Sequence, residues 1–81
     1  MAEAAIVREA VGSLWADTFA DMVRSLVSRL MADEEDFAVV ITLAPGGLVV
    51  AGRVCLVADT HLVMSRGQRV ELADVTRIEV R

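Results

Sequence analysis

His61 is the single histidine of the chain, and an imidazole ring at the edge of a loop can stack on an unpaired base. The competing reading is a loop-edge histidine with no ligand. Arg66 and Arg69 flank Gly67 in a turn, where two guanidinium groups could meet phosphates; ordinary solvated turn charges are the alternative. Cys55 lies close to His61 in sequence, but it sits inside an apolar run with nothing to lower its pKa, and no third residue is placed to orient a base. It therefore reads as a small packing residue, not a nucleophile. Asp17 and Asp21 share a helix face with no histidine beside them, so they do not make a metal site, and one cysteine excludes both an internal disulfide and a multi-cysteine metal centre. Asp33-Glu34-Glu35-Asp36 reads as a solvated linker, with a cation site as the alternative. Gly46-Gly47 follows Pro45 and precedes a strand, which makes it a tight turn; a phosphate loop would lead into a helix. No catalytic group, metal ligand or cofactor is assigned, and the expectation is a protein that is not an enzyme.

These residues are carried by a simple order of elements. From Ala2 to Ala32 apolar side chains recur at helical spacing, one ridge being Val7, Val11, Trp15, Phe19, Val23, Val27 and Met31. A second ridge runs through Ile6, Ala10, Leu14, Met22, Leu26 and Leu30. A ridge with spacing of four drifts by roughly 40° per step, so the stripe winds too far for one flat surface to cover. Either the helix packs on two partners or it breaks at Gly12-Ser13, where Gly weakens a helix and Ser can cap a new one. The acid run is unfavourable at the negative end of a helix dipole, which places the stop near Met31 or Ala32.

Five strand-like runs follow: Phe37 to Leu43, Leu48 to Ala58 with a bend or bulge at Gly52, His61 to Ser65, Gln68 to Leu72, and Thr76 to Val80. Pro45-Gly46-Gly47 turns the first into the second. The first two runs are apolar on both faces and need cover on both sides, whereas the last alternates Ile78 and Val80 with Arg77, Glu79 and Arg81. The expected architecture is mainly β with an N-terminal α-helix. It is a single domain over residues 1–81, with the helix within 1–32 and a five-stranded bent small barrel over 37–81.

Composition narrows the partners. A chain of 81 residues removes only about 60–65% of its unfolded surface from water, so a lone copy is marginal and self-association is an obvious remedy. Apolar residues make up 56% of it while Trp15, Phe19 and Phe37 are the only aromatics, which favours an aliphatic core with surface left over for a partner. Residues 1–36 hold eight acids and three arginines, net −5, and residues 37–81 hold four acids and five arginines, net +1. A chain of net charge −4 lacks the basic field of a strong non-specific nucleic-acid binder, and only its β half could offer a local patch. Glu3 and Glu9 stand where a targeting segment would be basic, so the expected location is the cytoplasm. The longest uncharged stretch, Phe37 to Gly52, is too short to span a bilayer, and no membrane partner is expected.

Leu43, Gly47, Gly52, Val54, Asp59, Leu62 and Met64, followed by a turn, a short strand, and Val75 with Ile78, together form a pattern that resembles the Sm/LSm family. The resemblance covers about Phe37 to Arg81, and its weight rests on the order of the elements. It implies an Sm-like (SH3-like) barrel and a homo-oligomeric ring in which strand four of one copy, carrying Gln68, Val70 and Leu72, pairs with strand five of the next, carrying Thr76, Ile78 and Val80. It also implies RNA as a candidate ligand. Asp59 and His61 match an acidic residue and a base-stacking residue of the family's RNA loop, with Arg66 and Arg69 as further candidates from the turn reading. Val63 stands at the family's Asn position, and Leu72-Ala73-Asp74 holds no Arg-Gly. These departures favour the alternative, a protein-interaction or scaffolding barrel that binds no nucleic acid.

Overall fold

The computed structural model describes residues 6–9, 16–34 and 36–81, with side chains at all of them except 9, 16 and 17. In chain order the elements are β1 (Ile6–Glu9), α1 (Ala16–Ala32), β2 (Val39–Leu43), β3 (Leu48–Gly52), β4 (Val54–Val57), β5 (His61–Met64), β6 (Arg69–Glu71), a 3-10 turn (Leu72–Asp74) and β7 (Val75–Val80).

Helix α1 follows the ridge expected of it: Phe19, Val23 and Val27 are buried, while Met22, Leu26 and Leu30 pack half-buried against the same core. It stops at Ala32, and the amides of Asp33 and Glu34 close the last turn on the carbonyls of Arg29 and Met31 at 2.9 and 3.1 Å. The carboxylates thus fall just past the negative end of the dipole. The hairpin between β2 and β3 turns through Ala44–Pro45, a cis peptide, and through Gly46 and Gly47 at φ 90° and 70°, a region that glycine enters without strain.

The long apolar run does not stay one straight strand. At Gly52, with φ 148°, it leaves its first partner; β3 pairs with β2, and after Arg53 the chain continues as β4 paired with β5. Two antiparallel sheets result, one ordered β1-β7-β2-β3 and the other β4-β5-β6. Their inner faces bury Val39, Ile41, Val50, Leu62, Met64, Val70, Val75, Ile78 and Val80, with Leu72 from the 3-10 turn and α1 laid across them. Each fully buried aliphatic side chain contributes roughly 1.5–3 kcal/mol relative to leaving it in water.

Four expectations change here. A continuous helix over 1–32 is replaced by a strand and a shorter helix: Ile6–Glu9 pairs antiparallel with β7 over Ile6↔Val80 to Glu9↔Arg77. The β-branched pair Ile6-Val7 satisfies an open sheet edge there, and that tertiary contact overrides the local helical spacing. Five strands in a barrel become seven in two sheets, because the bend at Gly52 divides the second strand and no ladder joins the two sheets among the described residues. The edge of strand five that would be open for ring closure is occupied, since β7 lies between β1 and β2. Cys55 is exposed; the register shifts between Val54 and Leu56, and that bulge turns the thiol out of the core. Trp15 and the Gly12-Ser13 break lie outside the described residues. No helix among the described residues is long and apolar enough to cross a membrane.

Candidate functional site

The turn between β4 and β5 is held from two sides. Its own closure is the bond from the Ala58 amide to the His61 carbonyl at 2.9 Å, and the Leu72 amide donates to the Thr60 carbonyl at 3.0 Å, which ties it to the 3-10 turn. From the helix, Arg24 donates through Nη1 to the Asp59 carbonyl at 2.8 Å and through Nη2 to Asp21 Oδ1 at 2.9 Å. A groove of about 280 Å³ runs along this junction, lined by Asp21, Arg24, Asp59, Thr60, Leu72 and Ala73 together with Ala20.

Asp59 is exposed in that turn and His61, half-buried, opens β5 with Nδ1 3.4 Å from Thr60 Oγ1. These two residues are brought together. Arg69 is near by ladder position: His61 faces Glu71 and Val63 faces Arg69, so all four leave the hairpin on the side opposite Leu62 and Val70. However, the Arg69 Nε donates to Glu71 Oε2, and much of its charge is answered within its own strand. Arg66 is carried away from the histidine. It sits in the turn beyond Met64, the far end of β5, which is roughly 10 Å along the strand from His61 at about 3.3 Å per residue. The four candidate residues therefore do not cluster at one point; Asp59 and His61 share one end of the hairpin, and Arg66 lies at the other.

Of the six residues assigned to strand-to-strand assembly, Val70, Leu72, Ile78 and Val80 are buried in the core, Thr76 is half-buried and Gln68 is exposed. Thr76 Oγ1 donates to the Thr42 carbonyl at 3.2 Å, within the sheet. On the outer face of β7, Glu79 accepts from Arg81 Nε at 2.8 Å and from Arg77 Nη1 at 3.3 Å. The Arg81 hydrogen bond, with the charges of both guanidinium groups, holds its carboxyl below the usual glutamate range.

The feature that sequence reasoning did not place is apolar and lies at the rim. Strand β3 is an outer strand of the four-stranded sheet; Val50 points into the core, while Leu48 and Val49 are 63% and 56% exposed and Ala51 is exposed as well. Leu56 on β4 is 52% exposed. The signal was present in the apolar character of both faces from Leu48 to Val57, for which α1 supplies cover on one side only. Among the described residues no group of His, Cys, Asp and Glu is arranged to hold a metal ion.

No family model matches the chain, and neither does any curated protein or solved structure.

Proposed function

We propose that this chain is a non-enzymatic protein-interaction module, a small scaffold that assembles with copies of itself through the outer edge of β3. The observation that carries this reading is the exposed, uncharged strand Leu48–Gly52. From Phe37 to Gly52 there is no charged residue, and Leu48 and Val49 stay more than half exposed. Edge strands that remain free usually carry lysine, proline, a bulge or a covering segment, and β3 has none of these among the described residues. A second copy is the fitting occupant. Each chain carries −4, so most of one surface repels another, but an uncharged strand meets its own copy without a like-charge penalty. Antiparallel pairing about a two-fold axis at Val50 sets Val49 against Ala51 of the second copy and extends the sheet from four strands to eight.

The Sm-like plan is part of this proposal. It is supported by the helix before β2–β7, the bend at Gly52 that lets one strand serve two sheets, and the return of β7 to pair with β2. Ring closure through strands four and five, with RNA at Asp59 and His61, is the second reading. The adjacency of those two residues favours it; the occupied edge of β7 and the Arg69–Glu71 pair weigh against it.

Multi-angle light scattering tests the reading. The unmodified chain at about 10–100 μM should run at twice the mass of one chain or more, a range in which weak strand-addition interfaces are populated. Val49→Lys, a change at an exposed position, should return it to a monomer with its circular dichroism unchanged. A folded monomer throughout that range sinks the proposal.

A further inference from the structure

Between β1 and α1 lies a second groove, of about 270 Å³, lined by Arg8, Met22, Ser25, Leu26 and Arg29. Two periodicities build it. Met22, Ser25, Leu26 and Arg29 are three and four residues apart and form one stripe of α1 beside the stripe that enters the core. Arg8 stands directly opposite Ile78 in the β1–β7 ladder, so its side chain leaves the sheet on the face that bears Ile78, which is the face the helix covers. A position that would ordinarily be apolar thus brings a guanidinium to the rim of the core.

The charge balance of the groove is the reverse of the chain's. The protein carries −4, yet among the described residues no carboxylate lines this site. Among the described residues Arg8 donates only to the neighbouring Val7 carbonyl at 2.9 Å, and Arg29 has no side-chain partner. Two guanidinium groups with no counter-charge among the described residues, one hydroxyl and two half-buried flexible apolar side chains face a common space.

We infer that this groove binds a small amphipathic anion, a carboxylate on a medium-length aliphatic chain. The guanidinium forks match the two oxygens of a carboxylate, and Ser25 Oγ adds a donor. Met22 and Leu26 take the chain, methionine being adaptable enough to follow an irregular ligand. The groove's volume of about 270 Å³ accommodates a medium-length acyl chain. Inorganic phosphate shares the charge but leaves the apolar floor unused. None of the lining residues lies on β3, so the site stands independently of the proposed self-association.

The test is a titration of the ¹⁵N-labelled full chain with octanoate, alongside acetate, inorganic phosphate and octanol. Saturable shifts centred on Arg8 and on Met22 to Arg29 are expected, with octanoate binding about tenfold or more tighter than each of the other three. Arg8→Gln and Arg29→Gln, both at exposed positions, should each weaken octanoate by about fivefold or more while leaving the rest of the spectrum in place. The inference is overturned by a lack of saturation at about 10 mM, by acetate, phosphate or octanol matching octanoate, or by octanoate binding that survives the double variant.

Discussion

Arg24 of α1 donates to the backbone carbonyl of Asp59, 35 positions away in sequence, at 2.8 Å, and the same guanidinium is steadied by Asp21 one turn earlier on the helix. The bond joins the helix to the turn that links β4 and β5. Because Asp21 aims the side chain before the contact is made, less rotamer freedom is lost in making it. The helix is thereby fixed to the three-stranded sheet by a polar contact as well as by Phe19, Val23 and Val27.

Arg24→Ala is expected to cost about 1 kcal/mol, the scale of a partly exposed hydrogen bond, read as a lower midpoint in urea unfolding with an unchanged slope. Arg24→Lys should recover only part of the loss, since an ammonium cannot bridge both acceptors in the same fork. Equal stability of all three proteins would show that the contact is ornamental.

Gly52→Ala should lower stability by about 1–3 kcal/mol. A methyl group there would meet only Met64 Cε, at 3.8 Å, so crowding is not the cause. The backbone at φ 148° is the cause, because L-residues with a side chain rarely adopt it. Chemical denaturation compares the two proteins directly.

Leu62 and Leu56 separate core from surface. Leu62 is fully buried, and Leu62→Ala should cost about 2–5 kcal/mol through lost burial and the cavity left behind. Leu56 is half exposed, and Leu56→Ala should stay within about 0.5 kcal/mol in a monomeric background. Thermal or urea unfolding of the two variants would reverse the assignment of faces on β4 and β5 if their order were inverted.

Glu79 gives a pH dependence of definite sign. Its folded pKa lies below the unfolded one, chiefly through the hydrogen bond from Arg81, so its contribution is present above the ordinary glutamate range and is lost as pH falls through the lower folded value. Glu79→Gln should therefore be less stable than the parent near neutral pH, and the gap should close on acidification. A gap that widens toward acid pH contradicts the reading.

RNA is the partner that the proposed reading leaves outside. With Arg69 answered by Glu71 and Arg66 at the far end of β5, uridine-rich single strands should bind weakly and lose what affinity they have between about 50 and 200 mM salt. Fluorescence anisotropy across that series measures it. Tight binding abolished by His61→Ala would restore the ring reading.

Much of this arrangement was legible in the sequence because it is local. The stop of α1 is written in the acid run after Ala32, the hairpin in Pro45-Gly46-Gly47, and the division of the long strand in Gly52, each a matter of a dipole or a dihedral. What was not legible depends on distant partners. Ile6 and Val7 continue a helical spacing, and only the open edge of β7, more than 60 residues later, turns them into a strand. Cys55 reads as core until the bulge beside it is known. The layout of the candidate site follows the same division: the spacing of Asp59 and His61 survives folding because one turn holds both, whereas Arg66 is separated by the length of a strand.

The bend at Gly52 has a bearing on errors of folding. Leu48–Gly52 and Val54–Val57 are consecutive, so the chain enters the second sheet with its alternation already set by the first, apart from the bulge at Cys55. A slip of one residue along this run would turn Val50 toward water and Val49 inward, and the fault would be inherited by β4 against β5. A slip confined to one sheet would need a further bulge to absorb it. Proofreading of strand alignment in one is proofreading of both, and a half-correct fold has nowhere to rest.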